Sequence, residues 1–193
     1  MSGEYRWLNP PADWSGDDTR LELRTDLKTD FWRRTFYGFT RDDGHAYLRD
    51  VSGDFTASVV FRGEYEHLYD QAGLLLRLDE ANWIKAGIEF TDGIMHFSTV
   101  VTRDVSDWSV IPLPDVRPTD DVRMRLTRHG DAVRVQLSTA DGSWQLARLA
   151  PFSGEDCEIG LMACSPERAG FHVLFRDLVV GPAIPRDLHA PSD

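Results

Sequence analysis

Residues 70–90, DQAGLLLRLDEANWIKAGIEF, decide the fold class because apolar side chains alternate there with polar or small ones. In the second of the two alternating runs, Ile84 and Ile88 fall on one side of an extended strand, whereas Lys85 and Glu89 fall on the other, because successive strand side chains point to opposite faces. One face of this strand is therefore predicted to join a core, and the other face to carry polar groups.

Short runs rich in β-branched and aromatic residues recur along the chain, and turn residues separate them. Asp92-Gly93, Gly130-Asp131 and Asp141-Gly142 lie between alternating runs, where a tight hairpin needs residues that tolerate positive φ. No stretch has the apolar stripe of a helix, and residues 64–71 are predicted to form a turn. The predicted strands are 20–25, 54–62, 72–79, 83–91, 94–103, 107–111, 121–129, 132–139, 143–149, 157–164 and 171–180.

So many strands in a single open sheet would leave one apolar face in water. We therefore predict an all-β fold, a jelly-roll sandwich of two antiparallel sheets. The chain has 193 residues, and sandwiches of about 200 residues commonly form one domain, so a single domain is predicted over residues 1–181. Residues 182–193 contain three prolines and no apolar alternation, and they are predicted to form a C-terminal tail.

The charge and the cysteines limit the classes of partner and the compartment. A net charge of −11 repels nucleic acid and anionic membrane surfaces, so neither is expected as a partner. No apolar run is long enough to cross a bilayer and the N-terminus does not resemble a secretory signal, so we expect a cytoplasmic protein. Cys157 and Cys164 lie about 23 Å apart along one predicted strand, too far for a disulfide, and are expected to be free thiols.

Residues 26–50 differ from the rest because aromatic and charged residues crowd together and the alternation is broken. We interpret them as a pair of edge strands linked by a long loop, a common place for binding residues.

Three stretches resemble a known family: DFWRRTFYGFTRDDGH at 30–45, YDQAGLLLR at 69–77 and NWIKAGIE at 82–89. With their flanking residues, they are similar to the YesU-type family of uncharacterised concanavalin A-like proteins. The resemblance implies a jelly roll of two curved sheets, one of them concave, and the concave face binds glycans in related lectins and glucanases. It also implies an alternative role, as an interaction module that regulates a metabolic enzyme. It supplies no catalytic residues.

The polar face of the opening segment is the candidate ligand-binding site. An amide, a carboxylate and an aromatic ring are the groups that bind sugar hydroxyls and the apolar face of a pyranose. We therefore predict a small-molecule or oligosaccharide ligand, without excluding that these residues form solvated cross-strand pairs. The candidate residues are Gln71, Arg77, Trp83, Lys85, Glu89 and His96, with Trp32 and His45 at the rim.

Glycoside hydrolysis is a second alternative, but it needs two suitably spaced carboxylates. The strand pattern usual in jelly-roll glucanases is missing, and Glu155, Asp156 and Glu158 are its nearest approximation. Histidine pairs at metal-ligand spacing and a CxxC motif are also missing, so no metal or other cofactor is expected. A monomer or a homodimer formed by edge-strand pairing fits the sequence equally well.

Overall fold

The computed structural model describes residues 4–138 and 142–188, and nearly all of them belong to strands or to the short connections between strands. In chain order the strands are β1 (Arg6–Leu8), β2 (Asp13–Gly16), β3 (Arg20–Arg24), β4 (Phe31–Arg33), β5 (Thr40–Asp42), β6 (His45–Val51), β7 (Phe55–Gly63), β8 (Gln71–Arg77), β9 (Asn82–Thr91), β10 (Ile94–Arg103), β11 (Val105–Pro112), β12 (Val122–His129), β13 (Ala132–Ser138), β14 (Trp144–Pro151), β15 (Cys157–Cys164) and β16 (His172–Pro182).

Two seven-stranded antiparallel sheets form a sandwich of the jelly-roll type, which confirms the predicted fold class. The first sheet has the order β1-β6-β15-β8-β9-β10-β11, and the second has the order β14-β13-β12-β7-β16-β3-β2. The chain passes between the sheets several times, for example from β6 to β7 and back to β8. No helix occurs in the part of the chain that the structure describes, so no described helix could span a membrane.

All eleven predicted strands are present, with ends within two residues of the prediction where the residues are described. The predicted turn at Asp92-Gly93 is confirmed by φ angles of 54° and 77°, and Gly130 likewise has a positive φ of 58°. Asp141 lies outside the described residues, as do His189 and the rest of the predicted tail from residue 189 onward. Strand β16 ends at Pro182, next to the predicted boundary at 181, and the division into one domain and a tail stays a prediction.

The interpretation of residues 26–50 as two edge strands was wrong. Strands β4 and β5 pair only with each other, in a separate hairpin, whereas β6 lies inside the first sheet between β1 and β15. The alternation of β6 is hidden because both of its faces are covered: Ala46 and Leu48 are buried on the outer side, and Tyr47 packs against the core between the sheets.

The main core lies between the two sheets and is built from the inward residues of nearly every strand. Leu74 of β8, Ile88 of β9 and Phe61 of β7 are almost fully buried there. A second apolar cluster lies on the outer face of the first sheet, where Phe31 and Trp83 are both completely buried. The segment 26–44 therefore covers part of a sheet face that would otherwise meet water.

Two glycines face each other at the middle of the first sheet, Gly73 on β8 and Gly87 on β9. A Cβ atom at Gly73 would lie 2.0 Å from the carbonyl oxygen of Ala86, and one at Gly87 would lie 2.0 Å from that of Ala72. The absence of side chains lets the two backbones approach closely.

Replacing Gly73 by alanine should lower the free energy of unfolding by about 3 kcal/mol, because the new methyl group collides with the backbone of the next strand. The matched control is Gly181→Ala in β16, where no atom lies within 4 Å of the added Cβ and the effect should stay below about 1 kcal/mol. Chemical denaturation of both variants measures the difference, and equal stabilities would contradict the close approach.

Candidate ligand-binding site

A cavity of about 270 Å³ lies on the outer face of the first sheet, where the cover formed by residues 26–44 stops short. Its walls are mainly aromatic and its floor is polar. The aromatic side chains that line it are Trp32, Tyr37, Phe39, Tyr69 and Trp108, and the polar ones are Asp30, Gln71, Lys85, Glu89 and Glu167.

Strand register brings the polar floor together. Gln71 of β8 lies directly opposite Glu89 of β9, and Lys85 lies four residues before Glu89 on the same face, because strand side chains repeat with period two. The glycine pair separates these two positions. On the outer face of β9, one basic and one acidic side chain thus lie on either side of a glycine.

A buried ion pair fixes Lys85. Its Nζ lies 2.8 Å from Oδ1 of Asp30, and the lysine side chain is only 4% exposed. Burial lowers the pKa of Lys85, but the charge and the hydrogen bond of Asp30 outweigh it and hold the pKa above its usual value. The same carboxylate accepts the backbone N–H of Phe31 at 2.8 Å. The pair is therefore charged but neutral overall, and it attaches the β4–β5 hairpin to β9.

For Glu89, the effect of burial on the pKa outweighs the effect of the neighbouring positive charge and hydrogen bonds. It is 3% exposed, and burial raises its pKa to about 7 although Lys85 and hydrogen bonds from Ser98 and Trp108 pull the pKa down. The indole Nε1 of Trp108 also donates to Oγ of Ser98 at 3.1 Å. Near neutral pH this carboxyl group can either donate or accept a hydrogen bond, a property common at functional sites.

The loop of residues 34–39 joins β4 to β5 and forms the mouth of the cavity. We call it the aromatic loop, because it carries the exposed residues Phe36, Tyr37 and Phe39. The hydroxyl groups of Tyr37 and Tyr69 lie 3.0 Å apart, and the rings of Tyr37 and Phe39 stack with centroids 5.4 Å apart. Tyr69 has a φ of 65°, which is unfavourable for a bulky residue. Phe36, at the tip of this loop, is 93% exposed.

Four of the eight candidate residues line the cavity: Gln71, Lys85, Glu89 and Trp32. His96 lies beside Glu89 in the strand register, but it is buried, and its Nδ1 lies 3.3 Å from the carbonyl oxygen of Ile94.

The other three candidates have structural contacts elsewhere. Arg77 binds both carboxylate oxygens of Asp42, at 2.7 and 2.9 Å. Trp83 is fully buried next to Phe31, with ring centroids 6.1 Å apart. The imidazole of His45 accepts the backbone N–H of Asp26 at 2.9 Å and faces the carbonyl oxygen of Asn9 at 2.6 Å.

Sequence reasoning missed Asp30, Tyr69 and Glu167 as lining residues, because each reaches the cavity from a connection between strands, where no alternation marks it. Glu158, from the carboxylate cluster compared with glucanases, pairs with Arg6 at 2.6 Å and does not line the cavity. Among residues 4–138 and 142–188, no group of three or more His, Cys, Asp or Glu residues is arranged to hold a metal ion.

The raised pKa of Glu89 should make stability depend on pH. Between its ordinary value of 4.5 and about 7, the folded protein keeps a proton that the unfolded chain has lost, so the free energy of unfolding falls as pH rises, by at most about 3 kcal/mol. Glu89→Gln removes this contribution, whereas Glu80→Gln, at an exposed site, keeps it. Urea denaturation from pH 5 to 8 should therefore show the wild type losing about 1–3 kcal/mol relative to Glu89→Gln; parallel curves would contradict it.

Several known proteins are similar to this chain over most of its length. A Saccharomyces cerevisiae protein named regulation of enolase protein 1 is 43% identical over 184 residues, which are 95% of this chain and 92% of the relative. The crystal structure of a functionally unknown protein from Saccharomyces cerevisiae has a TM-score of 0.89 at 42% identity and covers 94% of this chain and 98% of that one.

More distant structures share the fold only. A GH43 protein from Bacillus licheniformis has a TM-score of 0.64 at 13% identity and covers 92% of this chain but 36% of that protein. The chain thus spans about a third of the length of that protein, and the likeness shows the jelly-roll fold alone.

The family is shown by a model that spans nearly the whole chain. It matches residues 7–183 and describes a protein of unknown function, DUF1349. The YesU-type label inferred from the three sequence stretches stays a prediction. The chain belongs to the DUF1349 family of proteins of unknown function.

Proposed function

We propose that this chain binds a small neutral, hydroxyl-bearing molecule, such as a single sugar ring, in the cavity on the first sheet. The observation that supports the proposal is the combination of aromatic walls with a polar floor in one cavity. Flat aromatic rings cover the apolar face of a sugar, and buried amide and carboxyl groups hydrogen-bond its hydroxyl groups.

The size of the cavity favours one ring over a chain. Its volume of about 270 Å³ is just below the range of pockets that hold drug-sized molecules, roughly 300–1,000 Å³. A longer glycan would have to extend past the aromatic loop into water.

Charge favours a neutral ligand over a uronate. Lys85 is the only cation among the described residues that line the cavity, and Asp30 already neutralises it. Glu89 and Glu167 add negative charge. A ligand carboxylate would therefore be repelled, whereas hydroxyl groups can pair with the amide of Gln71 and with either form of Glu89.

A thermal-shift screen tests the proposal. At about a hundredfold excess over Kd, a bound neutral monosaccharide should raise the melting temperature by about 5–10 °C, and uronates should leave it unchanged. Gln71→Leu and Glu89→Leu should each abolish the shift, whereas Glu80→Gln, at an exposed position outside the lining of the cavity, should retain it. No shift with any neutral sugar, or a shift that survives in Gln71→Leu, would contradict the proposal.

Regulation of a metabolic enzyme is a second candidate, favoured by the relative that is named for regulation of enolase and is 43% identical over nearly the whole chain. The exposed aromatic loop offers a surface for it, because Phe36 is 93% exposed and its ring lies edge-on to that of Tyr37, with centroids 5.1 Å apart. Large exposed aromatic side chains are frequent anchors in protein interfaces. Since this loop also forms the cavity mouth, a ligand and an enzyme partner would meet at the same place.

Purified enolase from the same organism tests the second candidate. This protein should bind enolase and change the steady-state kinetics of enolase. Phe36→Ser should weaken that binding by about tenfold. Leu149→Ser, which removes a half-exposed apolar side chain from the second sheet, should bind like the wild type. Unchanged kinetics together with no measurable complex would contradict a role in regulating enolase.

A further inference from the structure

Three arginines gather on the outer face of the second sheet, on the side of the sandwich opposite the cavity. Arg123 and Arg125 alternate along β12 with the buried Met124, so they point away from the core. Arg134 lies on the neighbouring strand β13 and Trp144 on β14, next in the sheet.

Both arginines of β12 pack on one indole ring. The guanidinium carbon of Arg125 lies 4.1 Å from the centre of the Trp144 ring, and that of Arg123 lies 5.1 Å from it, both within the range of cation–π attraction. Nε of Arg125 donates to Oε1 of Gln136 at 2.8 Å, and Gln136 is only 5% exposed. The buried amide thus orients one edge of the guanidinium of Arg125, whose side chain is half-buried.

The charge of Asp187 acts on Arg134 and opposes the lowering of its pKa by burial, but the rest of the cluster has little local compensation, although the chain carries a net charge of −11. No described carboxylate lies within ion-pair distance of Arg123, Arg125 or Arg134, whereas many other arginines of the chain are paired. Nη1 and Nη2 of Arg134 donate to the backbone carbonyl groups of Asp187 and Pro185 at 2.7 and 3.2 Å.

The arginines also affect each other. Burial and the positive charges of Arg134 and Arg123 together lower the pKa of Arg125 to about 10. Nε of Arg134 is buried and has no hydrogen-bond partner among the described residues. The free protein therefore holds like charges together at an energetic cost that a bound anion would remove.

We propose that Arg123 and Arg125, stacked on Trp144 and backed by Arg134, bind an oxyanion: a phosphate or carboxylate group of a small molecule. A planar guanidinium donates two parallel hydrogen bonds to either group, and the indole together with Gln136 presents two such planes in fixed orientations. The site shares no lining residue with the cavity, so it does not depend on the function proposed there.

Calorimetric titration of the full-length protein with inorganic phosphate, and separately with succinate, tests this site. Either ligand should bind saturably with one site per chain, and the melting temperature should rise more than in sodium chloride of equal ionic strength. Arg125→Gln should weaken binding by about tenfold, the loss expected for one charge-assisted pair. Arg123→Gln, at an exposed position that does not endanger folding, should weaken it as well.

Arg62→Gln is the matched control, because it removes an exposed arginine of the same sheet that has no indole neighbour among the described residues. Its affinity should stay close to that of the wild type. Binding of phosphate alone identifies a phosphate site, and binding of succinate alone identifies a carboxylate site; both support the proposal. Absence of saturable binding, or equal losses in Arg125→Gln, Arg123→Gln and Arg62→Gln, would overturn it, since either result means that only general charge attracts anions.

Discussion

The packing of residues 26–44 onto the outer face of the first sheet is the constraint on which the rest of this structure depends. An antiparallel sheet commonly has one face in the core and one face in water. Here Phe31 packs against Trp83, and Asp30 pairs with Lys85. Without this cover, a tryptophan would be exposed and a lysine would lose its partner, and the cavity would be an open surface.

The electrostatics of the cavity follow from the same cover. Excluding water from around Glu89 raises its pKa to about 7, and it also strengthens the attraction between Lys85 and Asp30. Trp32, Tyr37 and Phe39 of the cover line the small polar volume that remains beside it. The shape of the cavity and the raised pKa of Glu89 thus both result from the packing of residues 26–44 on the sheet.

Local patterns predicted the strands well, because hairpin turns and period-two alternation depend on neighbouring residues. The same alternation correctly put Gln71, Lys85 and Glu89 on one face. It could not tell which outward side chains would meet ligand or solvent and which would meet protein, because that depends on a hairpin about 55 residues away from Lys85 in sequence.

Trp83 shows the limit clearly. It lies two residues before Lys85 and therefore points to the same face of β9, yet it is completely buried and packs against Phe31. Similarly, Arg77 faces outward as predicted but ends in a bidentate pair with Asp42, which precedes it by 35 residues. Periodicity in a single sequence does not indicate such long-range partners. It does not indicate the arginine cluster either, because the cluster can be recognised only when the register of β12, β13 and β14 is known.

The first strands of the chain have a consequence for handling the protein. Strand β1 is the outermost strand at one edge of the first sheet, and β2 is the outermost strand at one edge of the second. Residues 6–16 therefore cap both sheets at once, and they keep the hydrogen-bonding edges of β6 and β3 from pairing with another molecule. Proteolytic removal of residues 6–16 would expose the unpaired backbone groups of β6 and β3 together. A chain trimmed in this way is therefore expected to aggregate.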